Sequence, residues 1–80
     1  MNARRQLLLA AVPTAQSEIQ SPGTRDVPLT VPVAGATVLL HVNGQTVHVV
    51  AAYRGFKAAQ TLLFENGKLA SATLDQSVGH

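Results

Sequence analysis

The 80-residue chain contains no cysteine and no tryptophan, and it has few aromatic or charged residues. Because cysteine is absent, disulfide bonds and thiolate metal sites are excluded. Charged residues make up 12% of the chain, whereas about 25% is typical of globular domains. Three histidines and four acidic residues leave few ligands for a metal site. We therefore predict one domain with a small core, which association with other chains would help to stabilise.

The net charge of +2 lies at the N-terminal end of the chain. Residues 1–25 carry three arginines and one glutamate, whereas the charges of residues 26–80 cancel. A neutral, charge-poor body favours association and is a poor match for binding nucleic acid through phosphate contacts alone. The longest apolar run, Leu7–Pro13, is far shorter than the roughly 20 residues of a membrane-spanning helix. We therefore expect no membrane partner.

The chain has none of the short motifs typical of enzymes, such as a glycine-rich phosphate loop, His-Glu-x-x-His or Gly-x-Ser-x-Gly. Its four carboxylates are scattered, and no pair of them suggests acid–base catalysis. The sequence therefore predicts a non-enzymatic protein with no catalytic residues, no cofactor and no metal.

The six glycines recur at intervals of 9 to 12 residues. Turn signals at such spacing are typical of an antiparallel meander, sandwich or small barrel. Asn43-Gly44 and Asn66-Gly67 are strong hairpin signals between apolar segments. Arg54-Gly55 is weaker, since arginine resists positive φ, and a type I turn with a glycine bulge would suit it better. The prediction is an all-β fold of about five short strands with an extended N-terminal arm.

Two-residue turns would pair Val42 with Gln45, Tyr53 with Phe56, and Glu65 with Lys68. Paired residues of an antiparallel ladder share a face of the sheet. One face then becomes almost wholly apolar, which supports the meander. The residues predicted on this face are Val38, Leu40, Val42, Val47, Val49, Ala51, Tyr53, Phe56, Ala58, Leu62, Phe64 and Leu69.

Residues 1–25 are interpreted as an N-terminal arm and residues 26–80 as the β domain. Asn2–Val12 would form a helical stub that Pro13 ends, and residues 14–25 would be loop or extended chain. Such an arm has few internal means of ordering itself, so we expect another chain to order it. The alternative is an α+β fold in which residues 56–66 form a short helix capped by Gly67.

Two sets of side chains are candidate protein interfaces. On the second face of the sheet, Leu39, Val50 and Leu63 lie among small or polar residues. These sets predict protein partners, either as a homo-oligomer or within a larger assembly. The candidates in the arm are Arg4, Arg5, Leu7, Leu8, Leu9 and Val12.

Two other groups of residues suggest chemistry only weakly. His41 and His48 would be diagonal neighbours on the polar face, but a third metal ligand is missing, so we interpret both as exposed strand histidines. Aromatic and cationic residues also alternate around the second turn, as they do on nucleic-acid-binding surfaces. The residues of this alternative surface are Tyr53, Arg54, Phe56 and Lys57.

In architecture, a compact β domain with an extended arm resembles the small cement or decoration proteins of tailed-phage capsids. The resemblance implies a structural role in a virion, in which the protein clamps neighbouring capsid subunits. It carries no residue-level assignment. The alternatives are a small nucleic-acid-binding β barrel and a small inhibitor of a host protein, for which the cytoplasm is the alternative location.

Overall fold

The computed structural model describes residues 3–31 and 34–78, and of residues 3–9, 56 and 75–78 it describes the backbone alone. One helix precedes five strands, which form a single open antiparallel sheet in chain order. The predicted all-β meander of about five strands is confirmed, in its open-sheet form. The elements are α1 (Ala3–Glu18), β1 (Thr24–Leu29), β2 (Ala36–Asn43), β3 (Thr46–Tyr53), β4 (Phe56–Glu65) and β5 (Lys68–Val78).

The alternative helix at residues 56–66 is wrong, because Phe56–Glu65 is the strand β4. The alanines and leucines of this segment are good helix formers. As a strand, however, the segment places Leu62 and Phe64 in the core and pairs with a neighbour on each side. Tertiary packing therefore overrides the local propensity.

The first turn lies one residue later than the sequence predicts. Asn43 pairs with Thr46, so the central residues are Gly44 and Gln45, and only Gly44 has a positive φ, of 62°. This is the pattern of a type II′ turn. The predicted pairing of Val42 with Gln45 is therefore wrong.

The predicted faces survive this correction. Val42 is paired with Val47, two positions beyond the predicted partner. Because side chains alternate with a period of two, a shift of two residues keeps every side chain on its face.

The other two turns, Arg54–Gly55 and Asn66–Gly67, have positive φ at both central residues, which is the type I′ pattern. Arg54 adopts this conformation with φ of 44°, so the alternative of a bulge at this turn is wrong. The flanking pairs are those predicted, Tyr53 with Phe56 and Glu65 with Lys68.

Helix α1 packs on one side of the sheet, against β2, β3 and β4. On the side of α1 that faces the sheet, buried residues recur at four-residue spacing, the pattern of a helix face turned to a core. They are Ala11, Ala15 and, directly after the helix, Ile19. The prediction that Pro13 ends a helical stub is wrong, because Pro13 lies inside the helix with its ring exposed. Burial of Ala15 and Ile19 offsets the hydrogen bond that proline cannot donate. The sheet of the same chain therefore orders this segment, in contrast to our expectation that another chain would do so.

The core lies between α1 and the sheet. Its strand members are nine of the twelve residues predicted for the apolar face, namely Val38, Leu40, Val42, Val47, Val49, Ala51, Ala58, Leu62 and Phe64. Of the other three, Tyr53 is half-buried against the core, Leu69 is 42% exposed, and the side chain of Phe56 lies outside the described part. Among the described residues, no helix is both long and apolar enough to span a membrane.

Candidate interaction surface

The side of the sheet turned away from α1, here called the outer face, is crossed by a row of polar residues. The strand register places one such residue on each strand at the same level. The row consists of Asp26, His41, His48, Thr61 and Thr73.

Hydrogen bonds join two pairs of neighbours in this polar row. His41 Nδ1 donates to Asp26 Oδ1 over 2.5 Å, because a carboxylate can only accept. His48 Nδ1 and Thr61 Oγ1 share a hydrogen bond of 3.2 Å. The row therefore links side chains of adjacent strands on a surface open to solvent.

His41 lies directly opposite His48, so the predicted diagonal arrangement is wrong, again because the first turn is displaced. Asp26 beside His41 could not be anticipated, since its position depends on the β1–β2 register. In the described part of the chain, no three residues of the types that bind metals are grouped so that they could hold an ion.

Apolar residues lie on either side of the polar row. Leu39 is paired with Val50, which in turn is paired with Ala59. Leu39 is 43% exposed and Leu63, beyond the row, is 42% exposed, whereas Val50 is half-buried. The small Ala59 leaves a shallow hollow, which Val50, His48 and Lys57 help to line. The three residues predicted for a second-face interface thus share the outer face, but the polar row separates Leu63 from the other two.

The described side chains of the alternative nucleic-acid surface lie on both sides of the sheet. The ring of Tyr53 packs against the core, and the guanidinium of Arg54 lies over it, 5.4 Å from its centroid. Lys57 is exposed on the outer face. The side chain of Phe56 lies outside the described part.

Of the residues predicted for the arm interface, Val12 has a described side chain. Val12 packs against the core cluster of its own chain. Arg4, Arg5, Leu7, Leu8 and Leu9 belong to α1, and their side chains lie outside the described part. The surface that this arm offers to a partner stays a prediction.

Strand β5 exposes two leucines that the sequence did not identify as a surface. Leu69 and Leu74 are 42% and 52% exposed, and their partners Phe64 and Gln60 place both on the helix-facing side of the sheet. Register shifts leave Ala70 and Asp75 without partners, and such bulges change the face of the residues that follow. The two leucines are visible in the sequence, but they share a face only because of the bulge at Ala70, which the residue types do not predict.

Comparisons of this chain with protein-family models, with curated proteins and with solved structures found no match.

Proposed function

We propose that this protein is a non-enzymatic assembly subunit that acts through contacts between copies of its own chain. The observation that carries the proposal is the exposure of two leucines on the edge strand β5, on the side of the sheet that faces the helix. Leu69 and Leu74 are 42% and 52% exposed.

Low charge supports the same proposal. A surface rich in charged residues of mixed sign keeps small domains apart in solution, but only 12% of this chain is charged. Glu18 and Arg25 are engaged with each other through an ion pair of 2.8 Å. Exposed apolar side chains on a charge-poor surface favour association driven by burial of apolar area.

The more specific form of the proposal is a capsid cement or decoration protein located in a virion. It is supported by the combination of a small β sheet, an N-terminal helix and uncovered apolar side chains, which would suit attachment to a lattice of identical subunits. In that setting the contacts proposed here would join neighbouring copies on the lattice.

Sedimentation velocity over a wide range of protein concentration tests the proposal. We expect a mass above 8.4 kDa at the upper end, and we expect added salt to preserve it, because the contacts are apolar. A single chain at every concentration would contradict the proposal. Runs with a single-stranded oligonucleotide test the alternative, since binding that falls steeply with salt would indicate phosphate contacts.

A further inference from the structure

The backbone groups on the open edge of β5 follow from the strand register. The N–H of Phe64 donates to Gln45, toward β3, so the alternate residues Leu63 and Thr61 direct their N–H and C=O groups toward β5. Their partners on β5 are Ser71 and Thr73. Ala72 and Leu74, which alternate with these partners, therefore point their backbone groups away from β4. Among the described residues β5 has no other strand neighbour.

The opposite edge of the sheet is less suited to pairing. The N–H of Gly44 donates to Gly23, so on β1 it is Thr24, Asp26 and Pro28 that point their backbone groups outward. Pro28 has no N–H to offer, and Asp26 adds a charge at this edge. Proline and charge are features by which edge strands avoid pairing. An open head-to-tail chain of copies, which would need β5 to pair with β1, is therefore disfavoured.

Strand β5 is compatible with a second copy of itself. No charged residue occurs between Leu69 and Leu74, so a two-fold axis in this segment brings no like charges together. With the axis at Thr73, the outward-pointing backbone N–H and C=O groups of Ala72 lie opposite those of Leu74 of the second copy. The two-fold axis makes the pairing of Leu74 with Ala72 of the second copy identical. Thr73 then lies opposite Thr73 of the second copy on the outer face. Each large Leu74 side chain lies beside a small Ala72, on the side where Leu74 is exposed.

We propose that β5 pairs antiparallel with β5 of a second copy across a two-fold axis at Thr73, so that the two sheets join into one. This inference rests on the proposed function and names the element and the partner through which the chain associates. The unpaired Ala70 and Asp75 limit regular pairing to Ser71–Leu74. The dimer is therefore small in contact area and dissociates on dilution.

A matched pair of lysine variants tests the assignment. Leu74→Lys places a charge in the proposed interface, whereas Leu39→Lys places one at a leucine of similar exposure on the outer face. We expect Leu74→Lys to weaken the dimer by at least about tenfold, because the charge would have to lose water, and Leu39→Lys to sediment like the wild type. Circular dichroism of both variants checks that each remains folded.

The outcomes separate the inference from the proposed function. A wild type that remains a single chain at all concentrations overturns both. If the wild type associates, loss of the dimer in Leu39→Lys and not in Leu74→Lys overturns the inference and moves the interface to the outer face. If both variants associate as strongly as the wild type, the inference is also overturned, while association itself stands.

A crosslinking experiment tests the register in a chain that contains no native cysteine. Opposed positions of an antiparallel pair lie within the distance that a disulfide spans. We therefore expect Thr73→Cys to form a covalent dimer on mild oxidation. Thr37→Cys, exposed on the interior strand β2, is the control and should remain largely monomeric. Equal crosslinking of the two variants would contradict the two-fold axis at Thr73.

Discussion

The two edges of the sheet differ on the side that faces α1. At the β1 edge, Val27 and Leu29 are half-buried against the core, and Arg25 is bonded to the C-terminal end of the helix. At the β5 edge, Leu69 and Leu74 lie on the same side of the sheet and are largely exposed. The same kind of side chain is thus covered at one edge and uncovered at the other.

The difference follows from the dimensions of the elements. A helix with its side chains is about 10–12 Å wide, whereas five strands at about 4.8 Å spacing extend over roughly 19 Å between the outer two. One helix cannot cover such a sheet completely. Arg25 bonds the C-terminal end of α1 to β1, whereas on the other side of the helix Gln16 donates a hydrogen bond of 3.2 Å to the carbonyl of Gly67, in the turn before β5. The uncovered apolar strip therefore lies on β5.

The largest predicted effect compares two leucines on adjacent strands. Leu62 on β4 is fully buried, and Leu74 on β5 is 52% exposed. We expect Leu62→Ala to lower the free energy of unfolding by about 3 kcal/mol through the lost contacts and the cavity, and Leu74→Ala to lower it by less than about 1 kcal/mol. Denaturation at low protein concentration measures both, and Leu62→Val is a milder variant in case Leu62→Ala does not fold. Equal losses at the two positions would contradict the difference in coverage.

The next largest effect concerns the turn between β2 and β3, two strands against which α1 packs. Gly44 has φ of 62°, and a Cβ built there would meet no atom within 4 Å, so a side chain costs backbone strain rather than a clash. We expect Gly44→Val to lower the free energy of unfolding by at least about 1–2 kcal/mol. Gly44→Asn should cost less, since asparagine tolerates positive φ.

A valine at the turn into β5 sharpens the comparison of the two regions. Gly67 has φ of 78° and the same open surroundings, so Gly67→Val introduces comparable strain. Because β5 lacks helix cover, we expect local fraying of β5 to relieve much of that strain. Global unfolding should then change less than in Gly44→Val, while the amides of β5 exchange faster. A larger global loss in Gly67→Val would show that β5 is held as firmly as the covered strands.

The smallest effect concerns Arg25, which ties β1 to the helix. Its guanidinium donates to the Glu18 carboxylate over 2.8 Å and to the backbone carbonyls of Glu18 and Ser21, where a cation is favourable at a helix C-terminus. We expect Arg25→Ala to lower the free energy of unfolding by about 1 kcal/mol. Lys57→Ala, which removes an exposed cation from the outer face, is the control and should change it by less than about 0.5 kcal/mol. Equal losses of unfolding free energy in the two variants would mean that the bonds of Arg25 to the helix contribute nothing to stability.

The faces of the sheet could be predicted from the sequence because side-chain alternation is insensitive to a two-residue error at a turn. The first turn is displaced by one residue, yet Val42 and Val47 remain on the predicted side. The sequence favours a bulge at Arg54, whereas the structure has a type I′ turn there, because the conformation of the turn is imposed by the strands that it joins rather than by arginine.

Other features depend on contacts between distant residues and could not be predicted. Helix α1 continues through Pro13 because Ala15 and Ile19, which follow the proline, are buried against the sheet. Asp26 meets His41 only through the β1–β2 register. The bulge at Ala70 decides which side of the sheet Leu74 faces. The continuation of the helix beyond Pro13 and the uncovered strip on β5 therefore emerged only from the structure.

Amide hydrogen exchange, measured at low and at high protein concentration, tests most directly the claim that β5 is the interface. At high concentration the outward-pointing amides of Ala72 and Leu74 should exchange more slowly, because they donate to the second copy. The outward amides of Thr24 and Asp26 on β1 should exchange at the same rate at both concentrations. If Ala72 and Leu74 keep the same exchange rate while the sedimenting mass doubles, β5 is not where the copies meet.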